Sequence, residues 1–275
     1  MSPLVSFPDA SRPADLLREL DRRNRILAVT GWLHLALAAV LLAVLPFDSR
    51  LVMGINPWIK PIKFAISITI YVWTIAWYLG YLHLPGWRKK ALARGIAISM
   101  IAEIICIAVQ AARGTTSHYN IRTPLDAAIF STMGTMIAIN TVIALVVLIC
   151  FFVQQCEIPR PYLVGIRSGL TIFLMASAVG GIMIHQKAHS VGVGDGGPGL
   201  PLLNWSTQGG DLRAAHFLGL HALQVIPIFG FLISRQKRWT AASKTKLVLL
   251  FAASYAALFA FLYFQALRGL PILRI

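Results

Sequence analysis

LDAAIFSTMGTMIAINTVIALVVLICFFV, residues 125–153, has one charged side chain, Asp126, at its start, and residues 127–153 carry none. As an α-helix rising 1.5 Å per residue, that uncharged part spans about 40 Å, more than the ~30 Å hydrocarbon core of a bilayer. A helix packed on the outside of a soluble domain keeps a charged face, and this one has none. Six more apolar runs flank it, at about 25–46, 61–83, 92–112, 164–189, 212–234 and 243–267. The whole chain agrees: 57% of its 275 residues are hydrophobic, 13% are charged, and mean hydropathy is +0.71. A soluble domain carries about 25% charged residues. The expected fold is an all-α, polytopic membrane bundle of seven helices, forming one domain over residues 25–275, with the lipid bilayer as its surroundings. A transmembrane β-barrel would show ~10-residue alternating segments, and none occur.

The net charge of +15 excludes nucleic acid as a partner once its distribution is read. Basic residues sit in short clusters between apolar runs rather than along one groove. With the N-terminus in the cytoplasm, sixteen of the twenty-five Lys and Arg residues fall on the cytoplasmic side. The expected topology is therefore N-inside and C-outside, in a cell inner (plasma) membrane. Residues 1–24 lack the layout of a signal peptide. Ser11-Arg-Pro-Ala-Asp15 reads as a helix start, and Leu16, Leu17 and Leu20 share a face, so a cytoplasmic amphipathic segment on the membrane surface is expected. The three cysteines, Cys106, Cys150 and Cys156, form no CxxC motif and no disulfide framework.

Polar side chains inside hydrocarbon are costly, so each is a candidate for function. In the third run, Ser99, Glu103, Cys106, Gln110 and Arg113 fall within about an 80° arc of a helix. Glu103 is its deepest acid, a candidate proton carrier or catalytic group, with His34, Lys63 or Arg113 as candidate bases. Lys60 and Lys63 open the second run and either snorkel to headgroups or face an anionic group. His185 and His189 lie four residues apart, about 40° on a continuous helix, so both can reach one ion. His216 and His221 lie five apart, about 140°, and cannot chelate one ion from a regular helix. His34 reads as a buried interhelical partner.

The longest connection, residues 190–211, is rich in glycine yet carries Leu200, Leu202, Leu203 and Trp205. Such a loop is expected to fold back as a lid. Its glycines permit either a plain turn or an anion-binding nest. Asp211 suits a helix N-cap or a carboxylate that orients a histidine. On the assumed topology this loop and the 47–60 and 113–124 loops share the extracytoplasmic face. The expected site there gathers His118, His185, His189, His216 and His221 as metal ligands. Glu103, Asp211 and His216 are its catalytic candidates, and Lys63, Arg113, Arg213 and Trp205 its cofactor-binding ones. A transition metal or haem is the expected cofactor, in an enzyme or redox protein acting on a small or lipid-soluble substrate. The alternatives are a proton-coupled transporter or sensor built on Glu103, and a structural or assembly subunit.

GGDLRAAHFLGLHALQ (209–224) and QAARGTTSHYN (110–120) resemble stretches of uncharacterised bacterial multi-pass membrane proteins. The resemblance implies a membrane bundle of about seven spans and no particular activity. The seven-span zinc hydrolases of the ceramidase and adiponectin-receptor group carry HxxxH in their last span, and the last run here has no histidine.

Overall fold

The structure, a computed structural model, describes residues 13–274. The expected Ser11 cap lies outside the described residues. Among the described residues, seven helices are long and apolar enough to cross a membrane. The chain divides into two compact units, Met1–Glu157 and Ile158–Ile275. Each is described by itself.

The first unit holds α1 (Pro13–Arg23), α2 (Arg25–Val44), α3 (Ile59–Leu79), α4 (Gly86–Ala112) and α5 (Pro124–Val153). Asn24 separates α1 from α2, and its side chain accepts a hydrogen bond from the Leu27 amide, which starts α2. Leu20 and Leu27 are buried beside this junction, whereas Leu16 and Leu17 of α1 are exposed. An exposed apolar face on a short helix with charges elsewhere suits a membrane surface.

Gly31 lets α2 and α3 approach: the Trp73 indole fills the space a Cβ would need, 2.0 Å away, and donates to Ala28 O. Thr69 donates to Gly31 O across the same seam. His34 is held between Thr30 O and Met100 O, the interhelical role its sequence position suggested. Tyr71 donates its buried hydroxyl to Asn140 Oδ1 at 2.9 Å, joining α3 to α5. Such a bond replaces an unsatisfied polar group in hydrocarbon and contributes roughly 1 kcal/mol. The outer surface is apolar: Val40, Leu42, Ile98, Val142 and Phe152 are all exposed. In water that surface would drive aggregation; in lipid it is matched.

The second unit holds α6 (Arg160–Gln186), β1 (Ser190–Val191), β2 (Gly210–Asp211), α7 (Leu212–Ser234) and α8 (Ala241–Leu267). Small residues set the spacing of α6 and α7. A Cβ on Gly169 would stand 2.6 Å from Ala222 O, and one on Gly219 would stand 2.5 Å from the Ala176 Cβ. Lipid chains supply no hydrophobic drive for helix association, so close backbone packing of this kind carries it.

The 190–211 connection is a fastened hairpin rather than a loose loop. Ser190 pairs with Asp211 and Val191 with Gly210, and a second bridge joins Gly199 to Ser206. Asp211 caps α7 through the Arg213 amide and also accepts from Ser206 N. Its carboxylate pairs with the Arg213 guanidinium, which donates in turn to Asn204 O. Asp195 closes the other end. It accepts from the His189 and Ser190 amides and from His189 Nδ1 at 2.7 Å.

Burial works to raise the Asp195 pKa, but hydrogen bonds from the His189 ring and amide, the His189 charge and a hydrogen bond from the Ser190 side chain outweigh it. They hold the carboxyl well below the usual range. A carboxyl depressed in this way stabilises the fold fully above its unfolded value of about 3.9, and that stability is lost as pH falls through the lower folded value. The hairpin should therefore stay closed through mild acid and open only in strong acid. Asp195→Asn should remove that acid step and speed amide exchange at His189 and Ser190 roughly tenfold near neutral pH. Exchange unchanged by the substitution would contradict this account of the closure.

Candidate functional site

Glu103 anchors the site in the first unit. It lies more than halfway along α4 and only 5% of its surface is exposed. Ser99, one turn earlier on the same face, is also buried. Among the described residues, neither Glu103 Oε2 nor Ser99 Oγ has a hydrogen-bond partner. An orphaned buried polar atom costs about 1–3 kcal/mol, more if charged. Two of them, one helical turn apart on one face, are unusual enough to need an explanation.

The chain arranges three further groups beside Glu103. The 113–123 loop is tied down at both ends. Arg113 binds Asp126 Oδ1 at 2.6 Å and also Gln110 Oε1, Gln110 donates to Asp126, and Thr123 caps α5 through the Asp126 amide. Arg50, paired with Asp48, reaches across to Ala112 O. Asn120 donates to Thr115 and Thr116. Tyr119 takes a left-handed conformation, with φ of 60°. The result buries Ser117 and leaves the His118 side chain 20% exposed.

His118 Nε2 faces Glu103 Oε1 at 4.0 Å. Its Nδ1 lies 3.2 Å from Lys60 Nζ and 3.1 Å from Ser117 Oγ. The ring is flanked by Phe64 and Tyr119. Lys60 belongs to the first turn of α3, and its charge is felt at Glu103. A lysine ammonium only donates, so with Lys60 charged the imidazole accepts at Nδ1 and carries its proton on Nε2, toward the carboxylate. Four ångströms is too long for a direct hydrogen bond. It is short enough for a small ring movement or one water to complete the path.

The other sequence candidates are placed as follows. Arg113 is committed to Asp126 and Gln110, not to Glu103. Lys63 is half-buried one turn beyond Lys60. In the second unit, His185 is exposed in the last turn of α6. The expected shared face of His185 and His189 is lost because α6 stops at Gln186. Lys187 turns left-handed there, with φ of 54°, and His189 lies beyond the helix, turned to Asp195.

His216 Nδ1 binds Ala176 O on α6. His221 Nδ1 binds Phe217 O on its own helix and stacks on the Phe217 ring at 4.2 Å. The divergence of His216 and His221 thus leads to different partners. Trp205 sits edge-on to Phe217, and Arg213 and Asp211 hold each other. Among the described residues, no three His, Cys, Asp or Glu side chains are grouped to hold one metal ion. The Lys60–His118 pairing and the Asp195–His189 pairing were missed by sequence reasoning. The only signal for either was that all four residues lie in or beside the 47–60, 113–124 and 190–211 connections.

Compared with protein-family models, curated proteins and solved structures, the chain matches none of them.

Proposed function

We propose that this multi-pass protein is a proton-coupled transporter of a small solute in an inner (plasma) membrane, with Glu103 as its proton-carrying group. The observation that carries the reading is the buried, partnerless Glu103 Oε2 beside His118. A carboxyl within a membrane span that keeps one oxygen out of structural hydrogen bonds is a group kept for exchange. In the proposed step His118 Nε2–H gives its proton to Glu103 Oε1, and His118 regains one at Nδ1 from the Lys60 ammonium. Lys60 is then reprotonated from water at the loop end. The polar arc from Ser99 past Cys106 to Gln110 extends along the same helix face.

Proteoliposomes holding a pH-sensitive dye test the proposal. Under an imposed pH gradient, the protein should dissipate the gradient faster than protein-free vesicles do. Equal rates across a panel of added amino acids, sugars and cations would overturn it.

The second reading, a metal- or haem-dependent enzyme, draws on the second unit. Facing a carbonyl oxygen, Nδ1 of His216 and of His221 must carry the proton, which makes Nε2 the acceptor a metal needs. His189 on Asp195 is the carboxylate–histidine pairing that orients metal ligands. Gently purified protein would then show a Soret band or a stoichiometric metal, and His216→Ala would remove it. Protein with neither would count against this reading.

A further inference from the structure

At the opposite end of the first unit from His118, Arg23 is almost completely enclosed, its side chain 3% exposed. The guanidinium lies over two rings, 4.3 Å from the Trp77 centroid and 4.5 Å from that of Tyr81. Its Nε donates to Glu19 and its Nη1 to Trp77 O. Its Nη2 is buried and has no hydrogen-bond partner among the described residues. The carboxylate that pairs with it among the described residues, Glu19, is shared with Arg22.

A second cation stands nearby. Lys89 lies in the first turn of α4; Arg23 packs on Gly80 at the end of α3, where an added Cβ would stand 2.7 Å from its Nη1, and residues 81–85 lead from there into that turn. That turn has no acidic residue and no side-chain cap, because Pro85 occupies the N-cap. The Arg88 and Lys89 amides donate to Pro85 O, so the Gly86 and Trp87 N–H groups and the positive end of the helix dipole are left for an anion. Around this end Leu16, Leu17 and Trp87 are exposed, the residue types that sit at the headgroup level of a membrane. The distribution of Lys and Arg assigns this end to the cytoplasmic side, whose leaflet is rich in anionic lipid.

We infer that Arg23 Nη2, Lys89 and the uncapped N-terminus of α4 form a binding site for a phosphate oxyanion, supplied by the headgroup of an anionic phospholipid. The planar guanidinium, held by its two aromatic neighbours, presents its remaining donor in a fixed direction, as phosphate recognition requires. The exposed leucines and Trp87 give the acyl chains of a lipid an apolar surface to follow, which a dissolved phosphate would not use.

The test uses the full chain in nanodiscs of phosphatidylcholine containing a minor fraction of phosphatidylglycerol, with bound lipid counted by native mass spectrometry after release. The wild-type protein should retain phosphatidylglycerol in preference to phosphatidylcholine. Arg23→Gln and Lys89→Gln should each reduce that retention roughly tenfold. Lys89→Gln lies at the partly exposed rim and keeps the test decisive if Arg23→Gln fails to fold. Added inorganic phosphate distinguishes the sources. Retention insensitive to millimolar phosphate supports the lipid, whereas displacement of the lipid by phosphate would overturn the lipid assignment in favour of the dissolved anion. Equal retention of both lipids, or retention unchanged in both variants, would overturn the site itself.

Discussion

Gly210→Ala should unfold the second unit's hairpin and destabilise the protein by about 3 kcal/mol or more. Gly210 lies in β2, and its Cα is pressed against the end of α8. An added Cβ would stand 1.9 Å from Ala266 O and 2.7 Å from Ala266 C. These are backbone atoms of a helix, so no rotamer change can relieve the contact. Either α8 shifts or β2 lifts, and lifting β2 breaks its pairing with β1 and disturbs the Asp211 cap of α7. Thermal unfolding in detergent and proteolysis within residues 192–209 measure the effect. Gly194→Ala is the control: nothing lies within 4 Å of its added Cβ, so it should unfold as the parent protein does. A parent-like midpoint for Gly210→Ala would contradict the observed approach of β2 to α8.

Glu103→Gln should lower proton flux in proteoliposomes about a hundredfold or more, the usual worth of a positioned proton-transfer group. Glutamine matches the shape of glutamate but cannot take up or release a proton at these pH values. Helical content and expression should be unchanged, because among the described residues Glu103 Oε2 has no hydrogen-bond partner for the fold to lose. His118→Ala should cause a loss of similar order, since it removes the group that stands between Glu103 and Lys60. A buried carboxylate with only a structural role would behave in the opposite way. It would lose stability on substitution and leave flux unaffected.

The spans were legible because hydrophobic length is a one-dimensional property. Residues 127–153 alone require lipid, and the helix observed there, Pro124–Val153, contains them. Helix ends were harder to read. α4 begins at Gly86 and α6 at Arg160, several residues before the apolar runs. Arg88, Lys89 and Arg160 interrupt hydropathy without interrupting the backbone hydrogen bonds that define a helix.

The site was legible only as an inventory. Glu103 stood out because an acid in a span is rare. Its neighbour is His118, fifteen residues away beyond a folded loop, while Arg113, closer in sequence, is taken by Asp126. Competition of this kind is settled by tertiary geometry, which residue spacing does not encode. The same holds for the histidines at 185 and 189. The wheel argument assumed a continuous helix, and one left-handed residue, Lys187, removed it. In the connection, Asp195 rather than Asp211 holds a histidine, since Asp211 is engaged in capping α7 and pairing with Arg213.

The central claim is that Glu103 exchanges a proton inside the membrane, by way of His118. Infrared difference spectroscopy of the reconstituted protein, cycled between acid and alkaline buffer, reads carboxyl protonation directly. The wild-type protein should show a protonated-carboxyl band, of a group shielded from water, that appears and disappears with pH. That band should be missing from Glu103→Gln and should respond more slowly in His118→Ala. A band that persists in Glu103→Gln, or a wild-type protein with no such band, would contradict the claim.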